Sequence, residues 1–326
     1  MDFRTTIHIA DNMGIMHHSD QMMMLGSCFS DNIGGKLRQA MINVNVNPFG
    51  TLYNPFSIAS SVDRIIDCIP ERGIDLFQGS GVWNSFNFHS RYSMSDKEAT
   101  LTRMNEQIEK AHKHLKSCHT LIVTLGTAVV YRMKETNQVV ANCHKVPQHN
   151  FTRHMASVAE ITDVLSAMVE RLHEFNPSLR ILFTVSPIRH VADGLEVNSL
   201  SKASLRVAIA NVNHNYGKFT SYFPAYEIVM DDLRDYRFYA ADMVHPSDVA
   251  INYIWQTFQA AYFDDASTQA IARCERVMKR LTHRPMTANR EIIERFNADT
   301  KAVIANLVKE YPYIANIKEI NDLISE

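Results

Sequence analysis

Cysteine is scarce in this chain and spaced for nothing structural. Its five residues, at positions 28, 68, 118, 143 and 274, form no CxxC pair. That argues against a disulfide framework or a structural zinc site and fits reduced thiols in a cytoplasm. Among the 15 histidines, His89, His144 and His190 of the motif loops show no HxH or HExxH spacing, so no metal-ligand set is expected there. Neither sign of charge dominates: 33 Lys and Arg face 35 Asp and Glu, for a formal net charge of -2. A basic footprint for nucleic acid and a like-charge tail are both excluded. No apolar run is long enough to span a bilayer. The opening Met1-Asp2-Phe3-Arg4-Thr5-Thr6 has no apolar core of the kind a secretory leader carries, so a cytoplasmic location and no membrane partner are expected. There is no internal repeat and no low-complexity stretch. What is present is 326 residues, 46% hydrophobic and 21% charged, enough for one large domain or a domain with a sizeable extension.

Short buried-looking runs alternate with long helical ones. Met22–Leu25, Thr120–Leu125, Arg180–Val185 and Ala225–Met230 read as strands apolar on both faces, and Ile42–Val46 as a further strand. A lead-in strand is expected at Thr6–Ile9, and Tyr131–Ala141 alternates enough for a hairpin. Helices are expected over Asp31–Met41, Phe56–Ile69, Ser95–Ser117, Val158–Phe175, Asn198–Phe219 and Asp248–Phe263. Strands joined by helical crossovers predict a parallel sheet with helices on both faces. Residues 265–326 contain no convincing strand and read as two or three helices broken around Arg284-Pro285 and Tyr311-Pro312. We therefore expect a catalytic domain over 1–264 and a helical extension over 265–326.

Two motifs carry chemistry. Gly26-Ser27-Cys28-Phe29-Ser30 joins the first strand to a helix. Such a turn lifts a nucleophilic side chain off a strand end, and the helix N-terminus behind it supplies backbone N–H groups. Read blandly, Gly26 closes a strand and Ser30 or Asp31 caps the helix. Far downstream lies Asp242-Met243-Val244-His245-Pro246, just before another helix. An Asp and a His three residues apart in one loop can touch, so that the carboxylate fixes the imidazole tautomer while the second ring nitrogen faces a nucleophile. Between them, Asn47-Pro48-Phe49-Gly50 is a stiff turn in which Gly50 can bring an N–H close to a ligand. The charged run Asp231–Tyr239 reads as a salt-bridged scaffold for the Asp242–His245 loop.

The stretch LGSCFSDNIGG (25–35) resembles the GSCFA family. So do NPFGTLYNP (47–55), TLGTAVVYR (124–132), ANCHKVP (141–147), TVSPIRHVADG (184–194), NSLSKASL (198–205), YFPAYEIVMDDLRDYRFYAADMVHPS (222–247) and IWQTF (254–258). The likeness covers about residues 20–262. Ser30 stands where the family usually has Ala, at a position read here as a cap. The family is grouped with the SGNH/GDSL hydrolases. The resemblance therefore implies a flavodoxin-like three-layer α/β/α sandwich with a parallel sheet, plus the C-terminal helices.

It also implies an esterase that uses a Ser/Cys-His-Asp triad and an acyl-enzyme, needs no cofactor, and acts on a small-molecule or carbohydrate-linked acyl substrate. Asp242 and His245 match the superfamily's last block. Aligning the glycine of Gly-Asp-Ser puts Cys28 on the nucleophile position; aligning serine to serine puts Ser27 there. Either can attack, and the glycine alignment favours Cys28. Gly50 is the candidate oxyanion glycine. The Gly-x-Asn block falls at Gly126-Thr127-Ala128 without its asparagine, which Asn142 could replace. His89, His144, Arg189 and His190 are candidate substrate contacts, or else they fix loops. Acyl transfer through the same acyl-enzyme, or ligand binding without catalysis, are the other functions compatible with these residues.

Overall fold

The computed structural model describes residues 5–9, 15–282 and 289–317. Five parallel strands form the central sheet: β1 (Gln21–Gly26), β2 (Asn43–Val46), β5 (Thr120–Leu125), β8 (Arg180–Val185) and β9 (Thr220–Phe223). They lie in the order β2-β1-β5-β8-β9. Counting sheet strands alone, this is the 2-1-3-4-5 order of flavodoxin-like folds. The strand order reverses between β1 and β5, and a crevice opens there at the carboxyl ends.

Strand alternation sorts the core into two layers. Met23, Leu25, Leu121, Val123, Leu125, Ile181, Phe183 and Val185 face α2 (Pro55–Ile66), α3 (Lys97–Lys116), α4 (Val158–Phe175) and α5 (Leu195–Tyr216). Met22, Met24, Ile122, Leu182 and Phe223 face α1 (Cys28–Gln39), α6 (Ala225–Glu227) and α7 (Asp248–Tyr262). Most of these side chains are wholly buried, each contributing roughly 1.5–3 kcal/mol over exposure. Two antiparallel hairpins decorate the sandwich. One joins β3 (Leu76–Gly79) to β4 (Val82–Ser85), and the other joins β6 (Val129–Met133) to β7 (Phe151–Met155). The first turns at Ser80-Gly81, both with positive φ, the geometry of a tight two-residue hairpin.

Two expectations change. Ala225–Met230 is not a strand: α6 runs on into a π-helical turn, Ile228–Leu233, that buries Ile228 and Val229 against the α1/α7 layer. The fifth strand is the preceding Thr220–Phe223, and Pro224, which cannot donate to a ladder, ends it. Residues 6–9 form no strand, although Ile7 and Ile9 pack on the same layer. Tyr131–Ala141 turns back on itself as expected, through the Arg132–Val139 bridge and the bonds of Met133 N–H to Gln138 O and Val140 N–H to Tyr131 O (both 2.9 Å), but the longer ladder of β6 is with β7.

After α7 come α8 (Asp265–Thr282) and α9 (Arg290–Glu310). They close a small third cluster of Cys274, Val277, Ile304, Leu307 and Ile314 around Met41. His18 ties this cluster inward, bonding Tyr313 Oη at 2.8 Å and the Ala40 carbonyl at 2.7 Å. The expected break at Tyr311-Pro312 is the end of α9, whereas Arg284-Pro285 lies outside the described residues.

Candidate active site

Gly26 makes the turn possible. Its φ of +138° is a glycine conformation, and a Cβ there would sit 2.1 Å from the Thr124 carbonyl oxygen. The turn is held from three sides: Gly26 N–H donates to Asn47 Oδ1 (2.9 Å), Ser27 N–H to Thr124 O (3.2 Å), and Leu52 N–H to Gly26 O (2.8 Å). Asn47 also donates to Asp31 Oδ1 at 2.9 Å, and Arg91 pairs with the other Asp31 oxygen at 3.0 Å.

Neighbouring Ser27 and Cys28 have different fates. Ser27 is the N-cap of α1; it is buried, and its Oγ accepts from Phe29 N–H at 3.3 Å. Neither Ser30 nor Asp31 is the cap. Ser30 lies within the helix, fully buried, donating to Thr124 Oγ1 at 2.8 Å. Cys28 is the first helical residue and faces the crevice, its Sγ 3.8 Å from His245 Nε2. Burial pushes its thiol above the ordinary range, the nearby Asp31 carboxylate adding to the effect and Lys202 opposing it.

The histidine loop is short and self-contained. Asp242 Oδ1 accepts from Val244 N–H (2.9 Å) and His245 N–H (3.0 Å), and Oδ2 lies 2.6 Å from His245 Nδ1. These bonds hold the Asp242 carboxyl down at about 2. Met243 takes a positive φ of 59° to close the turn. Ala240 N–H donates to His245 O at 2.7 Å and Ser247 N–H to Phe238 O at 2.8 Å, while Ser247 caps α7. Among the described residues of the Asp231–Tyr239 run, Arg237 pairs with Asp235 at 3.9 Å and Asp232 accepts from Tyr253 Oη at 2.6 Å. The run is also braced by backbone bonds and by Arg189, whose guanidinium lies 4.5 Å over the Tyr239 ring and 5.6 Å over that of Tyr236.

Cys28 and His245 open into a cleft of about 590 Å³. Thr127, Asn142, Arg189 and His190 line it, as do Tyr53, Asn54 and Cys143, with an apolar wall that includes Val129, Val140, Val191 and Val244. His89 and His144 do not line it. His89 packs on Gly50 and accepts from Arg91 N–H at 3.2 Å, and His144 Nε2 lies 2.8 Å from Ser85 O and 3.0 Å from Phe88 O. Both fix loops. The backbone donors expected at Gly50, Gly126 and Thr127 are already engaged: Gly50 N–H bonds Asn47 O (2.7 Å), and the other two bond Tyr53 O (2.7 and 2.9 Å). Asn142 Oδ1 accepts from His144 N–H at 2.9 Å, and Asn54 Oδ1 caps α2 through Ser57 N–H at 2.9 Å. Both carboxamide groups line the cleft, with nitrogens that make no hydrogen bond among the described residues.

A row of polar residues on α5 escaped the sequence reading. Asn198, Ser201 and Lys202 lie on one helix face and are all buried. Asn198 accepts from His190 N–H at 3.0 Å, and Ser201 accepts from Ala128 N–H at 2.7 Å. Lys202 Nζ donates to the carbonyls of Gly126 (2.6 Å) and Ser186 (2.8 Å). The available signal was the i, i+3, i+4 spacing of these three within NSLSKASL. Burial lowers the Lys202 amine to about 7, and burial with the Lys202 charge brings His190 to about 4. Among the described residues no group of three His, Cys, Asp or Glu could hold a metal ion, and no helix is long and apolar enough to cross a membrane.

The model of the GSCFA family matches residues 21–258, and the chain belongs to that family. Its fold is similar to that of an acetyl xylan esterase (Est2A) from the rumen bacterium Butyrivibrio proteoclasticus, at 11% identity and a TM-score of 0.38, over 74% of this chain and 63% of that one. The chain thus spans less than two thirds of the esterase's length. No curated protein matches the chain.

Proposed function

We propose that this GSCFA-family chain is an acyl-ester hydrolase with Cys28 as nucleophile, His245 as general base and acid, and Asp242 as the group that orients the imidazole. The observation that carries the reading is the unbroken line from Cys28 Sγ to His245 Nε2 (3.8 Å) and from His245 Nδ1 to Asp242 Oδ2 (2.6 Å). Ser27 is the weaker candidate because its hydroxyl is buried at the helix cap.

Asp242 holds the tautomer that carries its proton on Nδ1, leaving Nε2 as acceptor. The half-buried thiol, its pKa raised by desolvation, keeps its proton at rest, so His245 removes it as sulfur attacks the substrate carbonyl. The C–S bond forms and the carbonyl electron pair moves to oxygen. In this reading the oxyanion takes its donors from the Cys28 N–H, in the first turn of α1, and from the carboxamide of Asn54 or Asn142, which line the same cleft. His245 then gives its proton to the leaving alcohol. Water, deprotonated by His245, hydrolyses the acyl thioester and returns the thiol. The apolar wall of the cleft suits the acyl portion of a small-molecule or carbohydrate-linked ester.

The test is hydrolysis of p-nitrophenyl acetate and butyrate by Cys28→Ala, His245→Ala and Ser27→Ala, with iodoacetamide labelling mapped by peptide mass. Cys28→Ala and His245→Ala should abolish turnover, Ser27→Ala should leave most of it, and the label should fall on Cys28. Wild-type turnover by Cys28→Ala overturns the assignment.

A further inference from the structure

His190 enters the cleft with nothing on its ring nitrogens. Its backbone is pinned, the N–H donating to Asn198 Oδ1 at 3.0 Å. Among the described residues neither imidazole nitrogen makes a hydrogen bond, and neither is sealed from solvent. The sheet says where the ring stands. Gly26, Thr124 and Thr184 are register partners near the ends of β1, β5 and β8. The strand β5 therefore separates the Cys28 turn from the loop after β8 that carries His190. The imidazole reaches back over that strand end. A Cβ on Gly126 would lie 3.3 Å from His190 Nε2, and because residue 126 is glycine it has no side chain to cover that nitrogen. The Tyr53 ring meets the imidazole edge-on, centroids 5.6 Å apart, and Tyr53 O holds the N–H groups of Gly126 and Thr127. Packing thus fixes a ring with a free Nε2 in the cleft that Cys28 and His245 also line. Burial, with the Lys202 charge, brings the ring to about 4, so it is uncharged at neutral pH. It then has one N–H to donate and is a poor source of a whole proton.

We infer that His190 is a further catalytic residue, its Nε2–H donating to the substrate's carbonyl oxygen as the Cys28 sulfur attacks. The C–S bond forms, the carbonyl π pair moves to oxygen, and the hydrogen bond tightens onto the developing charge. The thiol proton passes to His245 Nε2, and the His190 proton stays on its own nitrogen. When the C=O bond re-forms and the alcohol leaves with the proton from His245, the hydrogen bond relaxes and His190 ends as it began. Such a donor speeds the reaction because it is aimed at charge that exists only on the way to the acyl-enzyme. An uncharged imidazole can polarise a carbonyl in this way without giving up its proton. The inference rests on the hydrolase reading with Cys28 as nucleophile.

The experiment is kcat and KM for p-nitrophenyl butyrate in wild type, His190→Phe and His190→Gln, with iodoacetamide alkylation of Cys28 and thermal melting alongside. Phe keeps a ring against Tyr53 and loses the donor, whereas Gln keeps an N–H. In His190→Phe, kcat should fall about 100-fold, the scale of one lost oxyanion donor, with KM within about threefold of wild type. His190→Gln should regain about tenfold of that loss. Alkylation is displacement at a saturated carbon and forms no oxyanion, so its rate should match wild type in both variants. A folded His190→Phe chain with wild-type kcat overturns the inference. So does alkylation that falls in step with kcat, which would make His190 a prop for the thiol. Should neither variant fold, the wild-type chain answers. Propyl trifluoromethyl ketone adds to the Cys28 sulfur and leaves an oxyanion in place. The His190 Nε2 proton should then move downfield and exchange more slowly with water, and an unmoved resonance overturns the inference. Absence of turnover in the wild-type chain defeats the hydrolase reading and this inference with it, whereas wild-type turnover by His190→Phe defeats this inference alone.

Discussion

The turn at Gly26–Cys28 and the loop at Asp242–His245 meet at one sulfur–nitrogen contact, yet they are built in opposite ways. The turn is buried and held by residues distant in sequence: Asn47, Leu52 and Thr124 each bond its backbone. The loop is half exposed, with side-chain exposures of 45% for His245 and 50% for Asp242, and its polar bonds run mostly between its own neighbours. The nucleophile's position is thus part of the fold, whereas the acid–base pair is a local device mounted on α7. Mutations should separate accordingly: changes to the turn cost stability, and changes to the loop cost chemistry.

Gly26→Ala should show the largest effect. The new Cβ meets backbone at 2.1 Å in a conformation that alanine avoids, and the chain cannot yield without opening the β1–β5 ladder. A loss on the order of 5 kcal/mol is expected, read by urea unfolding or as failure to accumulate as soluble protein. A stable Gly26→Ala chain would break the contrast at its root.

Asp242→Asn should do the reverse. Activity is expected to fall about 10³-fold, through loss of the tautomer and of the charge that supports the imidazolium, while the melting temperature stays near wild type. The carboxyl sits at about 2 in the folded chain, below its unfolded value of about 3.9. Its contribution to stability is therefore complete above that unfolded value and lost as pH falls through about 2. An acid limb of activity above pH 3 should not come from Asp242, so moving that limb with a substitution at Asp242 tests whether the pair works as drawn. Melting that drops with activity would make the loop structural after all.

Asn47→Ala tests the turn more gently. It removes a buried acceptor from Gly26 N–H and a donor to Asp31, at a backbone φ of 48° that Asn tolerates better than Ala. About 2 kcal/mol of stability should be lost, with a smaller change in kcat/KM than Asp242→Asn gives.

The same contrast explains what could be read from sequence. The strands β1, β5 and β8 announce themselves because strands covered on both faces are continuous apolar runs. The pair Asp242 and His245 was legible because the partners lie three residues apart. The turn's supports were not. Asn47 and Leu52 reach Gly26 only through the crossover of β2. The runs Tyr222–Phe223 and Ile228–Met230 are both apolar in sequence, and apolarity alone cannot separate strand from helix over so few residues. Lys202 was hidden by its type, since a lysine on a helix ordinarily faces water, and only the company of Asn198 and Ser201 on the same face marks it as inward.

Ser27→Ala carries the smallest expected effect and bears most directly on which neighbour attacks. The Ser27 hydroxyl accepts one backbone N–H, that of Phe29, at 3.3 Å, a long and modest bond. Its removal should cost about 1 kcal/mol as the loss of an N-cap, visible as a small drop in the urea midpoint. The Cys28 sulfur, on the far side of the same turn, keeps its contact with His245, so kcat should change by no more than about threefold, the scale of a sub-kcal/mol shift in the turn. Thiol-reagent sensitivity should be untouched. Cys28→Ser should keep a residue of activity through the hydroxyl and lose that sensitivity. If instead Ser27→Ala removes turnover while Cys28→Ser retains it, the cap hydroxyl must leave the helix to attack, and the buried turn is not the fixed element described here.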